Sequence, residues 1–309
     1  MAYRLKLDES IPEGIRRVIR EETESAAGQL SGRGKANRDE AIHEARKSVK
    51  KIRGALRLLR PELGDTFRAE NTRMRDVGRK LSDFRDAGAI LETFDALQAK
   101  YRGELGKHTL ASIRMGLAAR KEQGEKQAKI ELALTRMAGV LGRAGKRVET
   151  WPLAADGFAA IAPGLEETLR EGRKALARVR KHPRARNYHE WRKRVKDHWY
   201  HVRLLENLWT DTTRSYEKNL KELETWLGED HNLVVLREKV KSEPAFYGQA
   251  KEVRFFDRLI EKYHKELRAN ALAAGARIYE QKPRQFTGHM RRLWDGWHAR
   301  SPVQSGALR

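Results

Sequence analysis

His43 to Arg60 reads HEARKSVKKIRGALRLLR, and His189 to Glu206 reads HEWRKRVKDHWYHVRLLE. Laid one above the other, His43, Glu44, Arg46, Lys47, Val49 and Lys50 meet identical residues, and Arg57–Leu58–Leu59 meets Arg203–Leu204–Leu205. The offset is 189 − 43 = 146 residues. It also sets Leu81–Ser82–Asp83–Phe84–Arg85–Asp86 above Leu227–Gly228–Glu229–Asp230–His231–Asn232. Further upstream, Pro12, Gly14, Ile15, Ile19 and Arg20 resemble Pro163, Gly164, Leu165, Leu169 and Arg170, with a small change of spacing that a loop difference explains. A period this long is a duplicated domain, because solenoid repeats run at about 20–50 residues. The chain is therefore expected to be all-α, with homologous halves at residues 8–155 and 156–300 and a flexible tail over 301–309. Each half is read as a bundle of about four helices.

Advancing about 100° per residue sorts each copy into two faces. Ile42, Ala45, Val49, Ile52, Leu56 and Leu59 gather on one side of the first copy, opposite His43, Arg46, Lys47, Lys50 and Arg57. In the second copy Tyr188, Trp191, Val195, Val202 and Leu205 form the apolar stripe, opposite His189, Arg192, Lys193, Lys196 and Arg203. The rest of the chain has the same helical period and no strand alternation. Pro12 after Ser10 marks a helix start, and Ala162–Pro163–Gly164 reads as another. Polar or Pro/Gly-rich breaks fall at Gln29–Asn37, Leu63–Asp65, Thr150–Gly157, Lys181–Pro183 and Ser242–Pro244.

Charge decides which partners are worth considering. The 309 residues carry 65 Lys and Arg against 43 Asp and Glu, a net +22, so the surface repels itself and attracts polyanions. From Ala45 to Arg60 there is no carboxylate at all. An ordinary exposed helix relieves such crowding with Glu–Lys pairs one turn apart. A solvated cationic face is the plain alternative, but the same order of cations recurs in the second copy. Arg grips phosphate oxygens in pairs and Lys adds a point charge. Bases at i, i+3, i+4 and i+7 make a ladder about 10 Å long, suited to several linked phosphates. With no cysteine, disulfides, thiolate zinc sites and Cys nucleophiles are excluded. No apolar run approaches the roughly 18 residues of a membrane span. A cytoplasmic location is expected.

These motifs together resemble the CHAD family, the conserved histidine α-helical domain. The carriers are His43-x-x-Arg46-x-x-x-Lys50-x-x-Arg53 and Leu81-x-x-x-Arg85–Asp86 in the first half. In the second they are His189-x-x-Arg192-x-x-x-Lys196, Leu227–Gly228-x-x-His231–Asn232–Leu233, and Gly275–Ala276–Arg277 to Lys282–Pro283. The resemblance runs from about Ser10 to about His298. It implies two pseudo-symmetric four-helix bundles with a basic central groove or channel, binding of inorganic polyphosphate, and association with polyphosphate granules and their proteins. Phosphate contacts are then expected from His43, Arg46, Lys50, Arg53, His189, Arg192 and Lys196, with Lys47, Arg57, Lys193 and Arg203 on the same faces. Arg20 and Arg170 are expected helpers on the leading helices, followed by Arg16, Arg17, Arg173 and Lys174. Arg85 and His231 either contribute or pin the bundle. The chain departs from the family pattern at Trp199, which replaces the counterpart of Arg53. No Glu-x-Glu-x-Lys strand of a triphosphate tunnel module (CYTH), to which some relatives are fused, occurs.

A phosphate-processing enzyme needs carboxylates for Mg²⁺, or a nucleophile with its base. No Walker motif or His-Glu-x-x-His is present. Asp83/Asp86 and Glu229/Asp230 read as caps or ion-pair partners rather than metal ligands. The Trp residues (151, 191, 209, 226, 294 and 297) read as core and junction filling. No catalysis, cofactor or metal is expected. Sequence-nonspecific nucleic-acid binding is the alternative, since a chain of this charge binds phosphate backbones at low salt. It lacks stacking aromatics beside the cations apart from Tyr200.

Overall fold

The computed structural model describes residues 3–32, 37–84, 86–105, 110–122, 127–208 and 211–299. Arg85, Trp209 and the tail from Ser301 lie outside them. The described residues form helices and no strand. The first half runs α1 (Ile11–Leu30), α2 (Arg38–Leu58), α3 (Arg60–Leu63), α4 (Asp65–Asp83), α5 (Asp86–Lys100), α6 (Arg102–Leu105), α7 (Ala111–Glu122) and α8 (Gln127–Arg147). The second runs α9 (Gly157–Lys181), α10 (Ala185–Leu204), α11 (Asp211–Ser242), α12 (Pro244–Tyr247), α13 (Ala250–Ile278) and α14 (Pro283–His298).

Local chemistry sets these ends. Ser10 caps α1 by accepting from the Glu13 amide, while Glu13 reaches back to the Ser10 N–H, so two orphan donors are satisfied together. Asp156 does not cap its own helix. Its carboxylate accepts from the Ile11 N–H at 2.8 Å and ties the start of the second half to the start of the first. One boundary differs from the sequence reading: α9 begins at Gly157, and Pro163 lies inside it. The turn ahead of Pro163 buries Phe158, Ala160 and Ile161, and that apolar face extends the helix back past the proline. The proline costs one hydrogen bond, to the carbonyl of exposed Ala159, where water can substitute.

The apolar stripes of α2 and α10 are buried as their period requires. Ile42, Ala45, Val49, Ile52, Leu56 and Leu59 are each at most 2% exposed, and Trp191, Val195 and Val202 are fully covered. Trp191 lies so close to α13 that only a glycine fits opposite it, at Gly275. Trp151 and Trp294 are also buried, whereas Trp226 and Trp297 are partly so. The apolar interior falls into two clusters, and each draws on both halves of the chain. The larger joins α1, α2, α4 and α8 to α9, α10 and α14. The smaller joins α5 and α7 to α12, α13 and the C-terminal part of α11. Trp226 of α11 touches both.

Candidate functional site

Helices α2 and α10 cross directly. At the crossing a Cβ on Gly54 would stand 2.9 Å from the Cβ of Tyr200, so the backbones meet without a side chain between them. His201 Nε2 lies 2.9 Å from the Gly54 carbonyl oxygen. Positions 54 and 200 are themselves related by the 146-residue offset.

One turn before the crossing on each helix stand Lys50 and Lys196. Both are largely buried, and Lys50 is in the field of cations from both helices. Burial pushes the Lys50 ammonium down to about 6, with Lys196, Arg46 and Arg192 adding to the fall and Glu224 opposing it. Four cations from the two aligned ladders therefore converge on one place. Lys50 has no hydrogen bond or ion pair among the described residues. Lys196 is different: its ammonium donates to Glu224 at 2.8 Å, Lys221 donates to the other oxygen of Glu224 at 2.8 Å, and Arg192 stands 3.8 Å away. Burial raises the Glu224 carboxyl, but Lys196 and Lys221 outweigh it and hold it at about 2. Burial also lowers Lys196, reinforced by Arg192 and Lys221 against the pull of Glu224.

The remaining expected residues take varied places. His189 stacks on His231 with ring centroids 4.2 Å apart. Burial lowers both rings, aided at His189 by Lys193 and Arg192, and at His231, which falls to about 4, by His189 and Arg192. His43 instead lines a cavity of about 630 Å³ with Asn37, Arg38, Asp39, Glu40, Glu44 and Glu92. Lys47 and Lys193 are exposed and donate to Glu44 and Glu190, one turn back, at 2.9 and 2.6 Å. Arg57 donates to the buried carboxylate of Asp197 at 2.7 Å, an ion pair that joins the two halves. Arg53 donates to Asn71 at 3.1 Å, and burial with Arg57 beside it lowers its guanidinium to about 10. Arg203 lies over the Trp199 and Tyr3 rings.

Cations of the leading helices are engaged elsewhere. Arg16 donates to the Trp151 carbonyl, and Arg17 is gripped by Glu9 and Glu21. Arg20 pairs with Glu149 and Arg170 with Glu166. Arg173 donates to the carbonyls of Tyr279, Glu280 and Gln281 at the end of α13, and Lys174 is exposed. Of the carboxylates weighed as metal ligands, Asp230 accepts from His264 and Arg268, and Glu229 from Tyr263. Among the described residues no three His, Asp or Glu are grouped to hold a metal ion, and no helix is long and apolar enough to cross a membrane.

Sequence reading missed Glu224, Lys221 and Asp197. The offset that aligns Leu81 with Leu227 places Glu224 opposite Gly78, so a single acid facing a glycine was the available signal.

A chain of helices with no strand among the described residues, whose two duplicated cationic helices meet at one crossing, has an all-α fold. This chain belongs to the CHAD domain family, whose model matches residues 17–241. It is similar to the CHAD domain from the plant Ricinus communis at 20% identity, over 91% of this chain and 95% of that one, with a TM-score of 0.65. At that identity the likeness concerns the fold. No curated protein sequence matches the chain.

Proposed function

We propose that the cleft at the α2–α10 crossing holds inorganic polyphosphate without processing it, in the cytoplasm and at polyphosphate granules. The carrying observation is Lys50, a buried amine whose strongest charged neighbours are three further cations and which has no anion of its own. Protonating Lys50 beside three other cations is unfavourable in the free protein, and a multivalent anion threaded among them removes that opposition. The CHAD family is a binding family associated with polyphosphate. Arg46, Lys50, Arg192 and Lys196 are the primary contacts on this reading, with His189 and His231 beside Arg192. Tyr200, the one aromatic that nucleic-acid binding had to offer here, is 4% exposed beneath the crossing and has no face for a base to stack on.

The test is competition at near-physiological salt. Long-chain polyphosphate is expected to stay bound against duplex DNA at equal phosphate concentration, and Arg46→Glu with Arg192→Glu is expected to weaken its binding while far-ultraviolet dichroism stays unchanged. Displacement by DNA, or equal loss on reversing arbitrary exposed lysines, would reject the cleft. Metal-dependent phosphate release by pure protein would show an enzyme instead.

A further inference from the structure

The turn between α9 and α10 carries a second concentration of positive charge. Gly172 to His189 contains no carboxylate and seven Lys or Arg residues. Arg178, His182, Arg184, Arg186, Asn187 and Glu190 line a cavity of about 550 Å³ there. All four of its basic residues are exposed. Among the described residues, Arg178, Arg184 and Arg186 make no side-chain hydrogen bond or ion pair. The cavity's single carboxylate, Glu190, is occupied by Lys193 at 2.6 Å.

The fold does not require this charge. The same offset sets Arg184 over Arg38 and Arg186 over Glu40, and the cavity at the start of α2 sets four acids, Asp39, Glu40, Glu44 and Glu92, against Arg38 and His43. There Asn37 caps the helix, and Asp39 and Glu40 stand in its first turn, where acids suit the positive end of the helix. The turn before α10 has no side-chain cap, and Arg186 stands in the first turn, where a cation is unfavourable. The cavity beside α2 is thus lined mostly by acids and the one beside α10 mostly by cations, and the second keeps Arg186 at a cost to its own helix.

We propose that the α9–α10 turn is a second seat for a phosphate chain, separate from the cleft. Around α10, Arg186 and Glu190 fall about 120° and 160° from Arg192, so the two seats lie on different faces of that helix. This rests on the polyphosphate reading of the cleft and extends it: one molecule grips two stretches of polymer and so bridges chains.

Calorimetric titration with tripolyphosphate, too short to span both seats, separates the two readings. The wild type is expected to bind two equivalents. The variant R178Q/R184Q/R186Q is expected to bind one and to lose polyphosphate-induced turbidity with long chains. Arg46→Glu with Arg192→Glu is expected to retain the other equivalent. The variant R136Q/R143Q/K146Q, which removes the same charge from exposed positions of α8, is expected to bind two. The inference is overturned if the turn variant still binds two, if the α8 variant loses as much, or if DNA displaces the equivalent left in the cleft variant. If the cleft variant binds two while the turn variant binds one, the cleft reading fails and the turn survives.

Discussion

Two side chains set the character of the cleft, Lys50 and Glu224. With its ammonium pushed down to about 6, Lys50 is mostly neutral at pH 7 in the free protein. An arriving phosphate chain favours the charged form, so binding near neutrality takes up a proton at Lys50. Affinity is therefore greatest below about pH 6 and falls as pH rises above it. The neighbouring His231, at about 4, and His189, lowered by burial, contribute less near neutrality. Titrations at pH 7.5 in two buffers of different ionisation heat should show proton uptake, and Lys50→Arg should abolish it; no uptake in the wild type would mean the chain does not reach Lys50. Glu224 acts as an anion already in place, holding Lys196 and Lys221. Glu224→Gln is expected to tighten polyphosphate about tenfold, worth about 1.4 kcal/mol, because a competitor is removed. It should also lower Tm, since buried Lys196 loses its counter-charge. Fluorescence binding and calorimetry check the two effects, and unchanged affinity would remove Glu224 from the site.

Among the elements, α2 and α10 are the same helix twice, and their differences lie where the core needed adjusting. The offset places His198 at the position of Ile52 and His201 at that of Ala55, and both histidines are completely buried. Burial drives His198 down to about 3 and His201 to about 4, with His201 adding to the fall at His198. Unfolded, each takes a proton near 6.5, so the unfolded state binds more protons as pH falls from there toward 3–4. The stability given by their neutral burial is complete above about 6.5 and is lost progressively below it. His198→Phe keeps the ring among Tyr216, Tyr279 and Phe286 and removes the titration. Denaturant unfolding between pH 7 and 4 should then lose about 3 kcal/mol less than in the wild type; an equal loss would place acid lability elsewhere. The helices and their buried faces were legible because an apolar period survives substitution: Ile42 and Tyr188 differ, yet both face inward. The ladder Arg46, Lys50, Arg192, Lys196 was legible because duplication repeated it. Arg57 and Arg17 were not, because a wheel assigns a face but does not show that Asp197 or Glu9 arrives from elsewhere to occupy the charge.

For the whole molecule, the question is whether +22 acts as a diffuse cloud or through a few placed contacts. Much of the charge is already spoken for: Arg17, Arg57, Arg147, Arg237 and Arg268 each sit against a carboxylate. In the cleft Lys50 has none, and in the α9–α10 turn neither Arg178, Arg184 nor Arg186 has one among the described residues, so in both an incoming anion meets clustered cations. A polyanion releases counterions in proportion to the charges that engage it, so the slope of log K against log salt counts contacts. In the R178Q/R184Q/R186Q background, where only the cleft is left, four cleft cations at about 0.7 each give a slope near −3 for a short chain. Reversing Arg46 and Arg192 should bring the slope toward −1, whereas neutralising Arg136, Arg143 and Lys146 on α8 should leave it unchanged. A diffuse cloud predicts a steeper slope that drops by a similar amount in both variants. Binding of a fluorescent short-chain polyphosphate from 50 to 300 mM salt distinguishes the two, and equal slopes in the two variants would dissolve the cleft into the general field of the protein.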